Sequence, residues 1–133
     1  MLKPSIKNII VFFFLKYLIF YIFMMFKNND YTLIEVSSIR NGEDLLFYLW
    51  VFLFLPFMCS LIFTGPLYGM FKGKSGILFL FYLLVILLLE YLFYTFMASR
   101  GDFSNGVYNG IIGLLVLLLL FFKPISLIFR QKS

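Results

Sequence analysis

Four long apolar stretches alternate with short polar segments along the chain. They cover residues 9–26, 45–64, 77–98 and 107–122. A helix crosses the roughly 30 Å hydrocarbon core of a bilayer in about 20 residues, so the first three stretches are long enough and the fourth is marginal. The pattern predicts an all-α integral membrane protein, with four transmembrane helices in a compact bundle and a single domain over residues 1–133.

The end of the fourth stretch depends on Lys123 and Pro124. A lysine that reaches back to the membrane surface would let the helix continue toward Phe129. Proline opposes this, because it lacks a backbone donor and its ring clashes with the preceding turn. We predict a helix that ends near Lys123, followed by an interfacial segment over residues 125–129.

Polar residues mark both ends of the second stretch. Asn41 precedes Glu43 and Asp44, which is typical of a helix start, where a side chain caps free amides and acids meet the positive end of the helix dipole. Pro56 predicts a kink within the stretch. The Thr-Gly-Pro segment at residues 64–66 predicts its end.

Composition supports a membrane protein and narrows its chemistry. Hydrophobic residues make up 63% of the 133 residues, charged residues 13%, and the mean hydropathy is +1.03. There is no His, and the single Cys, Cys59, is interpreted as a small buried hydrophobe. Transition-metal sites need several imidazole or thiolate ligands, so we expect neither a metal nor a cofactor.

The charges predict an orientation. Lysine and arginine accumulate in the short cytoplasmic flanks of membrane helices. On one side of the four spans lie Lys3, Lys7, Lys72, Lys74, Lys123, Arg130 and Lys132, and on the other lie Lys27, Arg40 and Arg100. Seven basic residues against three predict that both termini are cytoplasmic, in the inner membrane if the source is bacterial.

The loop over residues 27–44 is then the one sizeable outer segment. Its middle, residues 31–38, is rich in Thr, Ile and Val and predicts either a short strand or a segment lying along the interface. The net charge of +5 is explained by helix orientation and contact with lipid headgroups. We therefore do not expect nucleic-acid binding.

Two charged residues lie inside apolar stretches, Lys16 in the first and Glu90 in the third. Charges within a bilayer are costly and usually paired. Their depths along parallel helices differ by roughly 10 Å at 1.5 Å per residue, which a lysine side chain and helix tilt can close. Three interpretations stay open: an intramembrane charge pair, two side chains that reach separately to the surfaces, or a role in handling protons or substrate.

Glycines begin the fourth stretch. Gly106 and Gly110 have the spacing that lets helix backbones approach closely, and Gly113 follows. Asn105 and Asn109 fall on neighbouring turns and are able to bond across such a contact. Alternatively, the glycines only free the backbone where a loop becomes a helix.

Helix-packing residues are present, whereas polar groups suited to catalysis or transport are few. This balance predicts a protein that is not an enzyme and binds a partner, as an accessory subunit of a membrane complex or an immunity-type protein. We expect its partners to be the lipid bilayer and another membrane protein or further copies of itself. The alternative is a small ion-coupled transporter or channel subunit that works as an oligomer, since four spans leave no pore of their own.

Overall fold

The computed structural model describes residues 1–31, 39–98 and 102–130. Its helices are α1 (Ile6–Asn28), α2 (Gly42–Lys72), α3 (Gly76–Met97) and α4 (Phe103–Arg130). All four are long and apolar enough to cross a membrane, and the described ranges contain no strand. The predictions of an all-helical chain and of four candidate spans are confirmed. The strand or interfacial segment predicted for residues 31–38 lies outside the described residues, except for Tyr31.

Helix α1 has a defined start and end. The Ser5 side chain accepts a hydrogen bond from the Asn8 amide at 3.2 Å, which satisfies one of the free donors of the first turn. Asn29 ends the helix in the left-handed conformation with φ 50°. The next amide, Asp30 N–H, then bonds back to Met25 O at 3.2 Å.

Helix α2 starts as predicted and ends later than predicted. Asn41 accepts from the Asp44 amide at 2.8 Å, and Glu43 and Asp44 occupy the first turn. The helix then continues through Pro56 and Pro66 to Lys72. The end predicted at residues 64–66 is wrong for the helix, because a proline removes only one backbone bond, which is tolerated where no water competes for the remaining ones.

Helix α4 contains a break close to the predicted one. Phe121 has non-helical dihedrals (φ −116°, ψ 22°), three residues before Pro124. Because Pro124 has no N–H, it cannot bond to Leu120 O four residues earlier, and the Leu2 N–H donates to that carbonyl instead at 2.9 Å.

The first helical segment of α4 thus ends at Phe121, two residues before the predicted end near Lys123, and the chain is helical again after this kink. The last turns pack on the protein through the buried side chains of Ile125 and Ile128. They also contact the start of α3, where the Phe129 and Phe79 rings lie 5.9 Å apart.

The helices contact one another in a ring. Each contacts the next one along the chain, and α1 also contacts α4. Helix α1 supplies three almost completely buried aromatic side chains, Phe13, Tyr17 and Phe20. Residues 16 and 17 therefore lie in the middle of the protein, where side chains from α2, α3 and α4 can reach them. This position holds the polar residues described next.

Candidate functional site

The two intramembrane charges meet across the ring of helices. Lys16 Nζ, on α1, donates a hydrogen bond to Glu90 Oε1, on α3, and forms a salt bridge with it. Lys16 is 0% exposed and Glu90 4% exposed, so both side chains are enclosed by the protein. Each charge compensates the other in a region of low dielectric, where an unpaired charge would be costly.

The Tyr17 hydroxyl links this pair to two further helices. It lies 3.1 Å from Glu90 Oε1, 3.1 Å from Cys59 Sγ and 3.5 Å from Asn109 Nδ2. A hydroxyl has one hydrogen to donate, and an ionised carboxylate is its strongest acceptor here. We therefore assign the Tyr17 hydrogen to Glu90, which leaves the hydroxyl oxygen to accept from the Cys59 thiol and from the Asn109 amide.

These five side chains form a network directed toward one atom. Lys16 and Tyr17 both donate to Glu90 Oε1, while Cys59 and Asn109 donate to Tyr17. All four helices contribute a member. Such an arrangement fixes the relative rotation of the helices, since turning any one of them about its axis removes a buried hydrogen bond.

One acceptor in this region has no hydrogen-bond partner among the described residues. Asn109 Oδ1 is buried beside the network and receives no donor. The Tyr17 hydrogen cannot serve both this oxygen and Glu90, so the network lacks one donor. Thr64 Oγ1, on α2, is likewise buried without a hydrogen-bond partner among the described residues. Unsatisfied polar atoms of this kind reduce the net stability that the network supplies.

The three glycines predicted to pack occupy different environments. A Cβ at Gly106 would lie 2.5 Å from Thr95 Oγ1 and 2.8 Å from the Tyr91 ring, so α4 approaches α3 closely there. At Gly113 the same atom would lie 2.7 Å from Lys16 Cε and 2.8 Å from Nζ. Gly113 therefore provides the space through which Lys16 reaches Glu90.

Gly110 does not take part in these contacts. No heavy atom outside its own helix lies within 4 Å of where its Cβ would be. Within one chain, the close approach of α4 is made by Gly106 and Gly113, which are seven residues apart and lie on the same face of the helix. Gly110 packing against another chain stays a prediction, as does a bend at Pro56.

Sequence reasoning identified part of this site. Lys16 and Glu90 were recognisable because charges are rare inside spans, and Asn109 because amides are uncommon there. Tyr17 and Cys59 were missed as network members. Tyrosine is frequent in this chain, and a lone cysteine in an apolar run resembles any small hydrophobe, so their only available signal was adjacency to Lys16 and a polar neighbour, Ser60.

The contacts within the site are hydrogen bonds and one salt bridge. Among the described residues, no group of three or more His, Cys, Asp or Glu side chains is placed to hold a metal ion. The thiol of Cys59 points to a hydroxyl, which is not a base able to activate it. The arrangement is thus suited to holding helices together.

No protein-family model, curated protein or solved structure matches this chain. Functional inference therefore rests on the residues and contacts of the chain itself.

Proposed function

We propose that this chain is a non-catalytic polytopic membrane protein that acts by binding another membrane protein, as an accessory subunit or an immunity-type protein. The observation that carries the proposal is the apolar start of α2. From Gly42 to Trp50 no residue is buried, and Leu46, Phe47 and Trp50 are 69%, 70% and 62% exposed. From Leu45 to Trp50, about one and a half turns of apolar helix thus contribute no buried side chain to the packing against the other three helices.

The proposed orientation follows the charge distribution. Both termini lie in the cytoplasm, because the side that carries them has seven of the ten basic residues outside the spans. In the cytoplasmic (inner) membrane of a bacterial source, the free start of α2 then faces outward. The helices form a compact bundle, and residues 125–129 lie at the inner interface. A partner would meet the free helix within the outer half of the bilayer.

The interior supports binding over transport. Its polar groups bond to one another in a network buried between the helices, with Lys16 and Glu90 neutralising each other. The two cavities described below lie beside α2 and are lined mainly by apolar side chains. The second is bordered by Tyr21, whose ring lies 6.1 Å from that of Tyr17. Substrate pathways through membranes are lined by polar and ionisable groups that water can reach.

The second candidate is a small ion-coupled transporter or channel subunit that works as an oligomer. The buried pair of Lys16 and Glu90 favours it, because intramembrane ionisable groups often relay protons or bind ions. This candidate is favoured if a Lys16→Met/Glu90→Gln double variant folds to normal levels and loses its biological activity.

Photo-crosslinking in the native membrane tests the leading proposal. A photoreactive amino acid is placed at Phe47, and at Leu84, an equally exposed position on α3, as the control. We expect a discrete crosslinked species from Phe47, with a membrane protein identified in it by mass spectrometry, and only lipid adducts from Leu84. Lipid adducts alone at both positions would contradict the proposal.

A further inference from the structure

Two apolar grooves lie on either side of the exposed part of α2. The first has a volume of about 350 Å³ and is lined by Phe14 of α1 and by Leu46, Leu49, Trp50, Leu53, Phe54 and Phe57 of α2. The second, of about 380 Å³, lies between Trp50 and Phe54 on one side and Tyr21 and Tyr94 on the other. Trp50 and Phe54 line both grooves and form the ridge that separates them.

The first groove is shaped for an elongated apolar object. It follows α2 from Leu46 to Phe57, about 16 Å at 1.5 Å per residue. That length corresponds to three turns of a second helix lying alongside. We call this surface the α2 groove.

Two exposed acids lie at the end of the α2 groove. Glu43 and Asp44 occupy the first turn of α2. Residues three and seven apart share a face of a helix, so Glu43 lies above Leu46 and Trp50 at the membrane surface. Arg40 adjoins them, and its backbone N–H donates to Asp44 Oδ2 at 3.2 Å. The groove is therefore apolar along its length, and the end beside Arg40, Glu43 and Asp44 carries a net charge of −1.

This charge argues against a second copy of the chain as the occupant. Copies inserted in one membrane share an orientation, and a two-fold axis along the bilayer normal brings the same ends of α2 together. Arg40, Glu43 and Asp44 of one copy would then face the same three residues of the other, so two ends of like net charge would meet. Like charges at an interface oppose association, whereas a basic partner would be attracted.

We infer that the α2 groove binds an apolar membrane helix of a separate chain that carries lysine or arginine at the end beside Glu43 and Asp44. The inference rests on the proposed function and specifies the chemistry of its partner. The apolar side chains supply the contact area, and the two acids select the charge and the direction of the bound helix.

Trp50 provides a reporter for the test, because it is the single tryptophan of the chain and lines the groove. The purified protein is reconstituted in phosphatidylcholine vesicles with synthetic leucine-alanine transmembrane peptides. Each peptide carries a fluorescence acceptor at one end, beside two lysines, two asparagines or two glutamates. Energy transfer from Trp50 is measured as a function of the peptide-to-lipid ratio.

We expect the lysine peptide to half-saturate at about three- to tenfold lower mole fraction than the asparagine peptide, since exposed charge pairs are individually weak. The glutamate peptide should bind least. A Glu43→Gln/Asp44→Asn variant should bind all three alike, whereas Asp102→Asn, which removes an acid beside α4 and keeps a capping side chain, should retain the preference. Raising the salt concentration should also reduce the preference of the unaltered protein for the lysine peptide, because salt screens exposed charges.

Three results would overturn the inference. Equal half-saturation by all peptides would mean that the groove accepts any apolar filling, including lipid chains. Absence of specific energy transfer would mean that it accepts no helix. Self-association that excludes the peptides would assign it to a second copy. Photo-crosslinking at Phe47 does not depend on the partner's charge, so a captured partner with an acidic or neutral end would preserve the proposed function while refuting this inference.

Discussion

Neutralising Lys16 and Glu90 separately and together measures what the buried network contributes. Lys16→Met leaves the Glu90 carboxylate with the Tyr17 hydroxyl as its described donor, and Glu90→Gln leaves the Lys16 ammonium without a carboxylate. Both side chains are almost completely buried, so water cannot screen the charge that remains. Each single variant therefore leaves one uncompensated buried charge, whereas the double variant leaves none. The loss of stability in the double variant should be smaller than the sum of the two single losses.

The magnitude follows from two limits. Removing one member of a buried pair costs about 3–5 kcal/mol in soluble proteins. Polar interactions inside membrane proteins average about 0.6 and reach about 1.7 kcal/mol, because the unfolded chain in the membrane also finds partners for its polar groups. We expect each single variant to lose about 1–3 kcal/mol of unfolding free energy, with a coupling between the two changes of about 1 kcal/mol.

The assay is unfolding in mixed micelles of a mild detergent and dodecyl sulfate, followed by circular dichroism for the four proteins of the cycle. Lys74→Met is the matched control, since Lys74 is exposed in the connection between α2 and α3. It should leave stability unchanged. Strictly additive losses from Lys16→Met and Glu90→Gln would show that the two side chains do not interact, and would refute the arrangement described here.

Three further results are expected. Gly113→Ala should cost about 1 kcal/mol in the same assay, because the new methyl group meets Lys16 Cε, whose displacement strains the bond to Glu90 by more than the gain in helix propensity. Gly110→Ala meets no neighbouring atom and should be neutral or stabilising. Equal effects of the two substitutions would exclude a role for Gly113 in placing Lys16. Cysteines introduced at positions 75 and 104 should react with an impermeant reagent from opposite sides of the membrane, and labelling of both from one side would refute the proposed topology. Hydrogen bonds from the Ser104 hydroxyl, and then from backbone amides, hold the pKa of Asp102 below its ordinary value of 3.8. The stability that this cap supplies is present above that value and is lost as the pH falls through the folded-state pKa, so Asp102→Ala should remove that part of the acid dependence of unfolding.

The fold was predictable where the physical requirement is strong. A bilayer demands about 20 apolar residues per helix, so the apolar runs predicted all four helices. The ends of α2 and α4 were less predictable, because the sequence rules for proline come from water-soluble helices. Pro66 lies within a continuing helix, and Pro124 produces a kink in place of an end. The bond from Leu2 to Leu120 could not be foreseen, since it joins segments far apart in the chain.

The site was predictable in its charges and unpredictable in its neutral members. The cost of an isolated charge in lipid made a contact between Lys16 and Glu90 a natural hypothesis. Tyr17 and Cys59 carry no comparable cost, and helical runs that are apolar on all sides give no periodicity to show which face is internal. The sequence could not show which glycine accommodates Lys16. That depends on the rotation of α4 about its axis, and the rotation is determined by the packing of all four helices.

The order of the two buried charges along the chain has a consequence for biosynthesis. Lys16 is synthesised 74 residues before Glu90. At about 5–20 residues per second, the carboxylate follows roughly 4–15 s after the ammonium. During that interval α1 enters the membrane with an uncompensated charge, which costs about 2.5–3.5 kcal/mol near the bilayer centre.

The flexible stem of Lys16 can carry the ammonium toward a membrane surface until Glu90 arrives. The Lys16 ammonium then leaves the membrane surface and forms its salt bridge with Glu90. Gly113 is synthesised later still, and it provides the space that Lys16 occupies. Lys16 therefore completes its native contacts only after both α3 and α4 have been inserted.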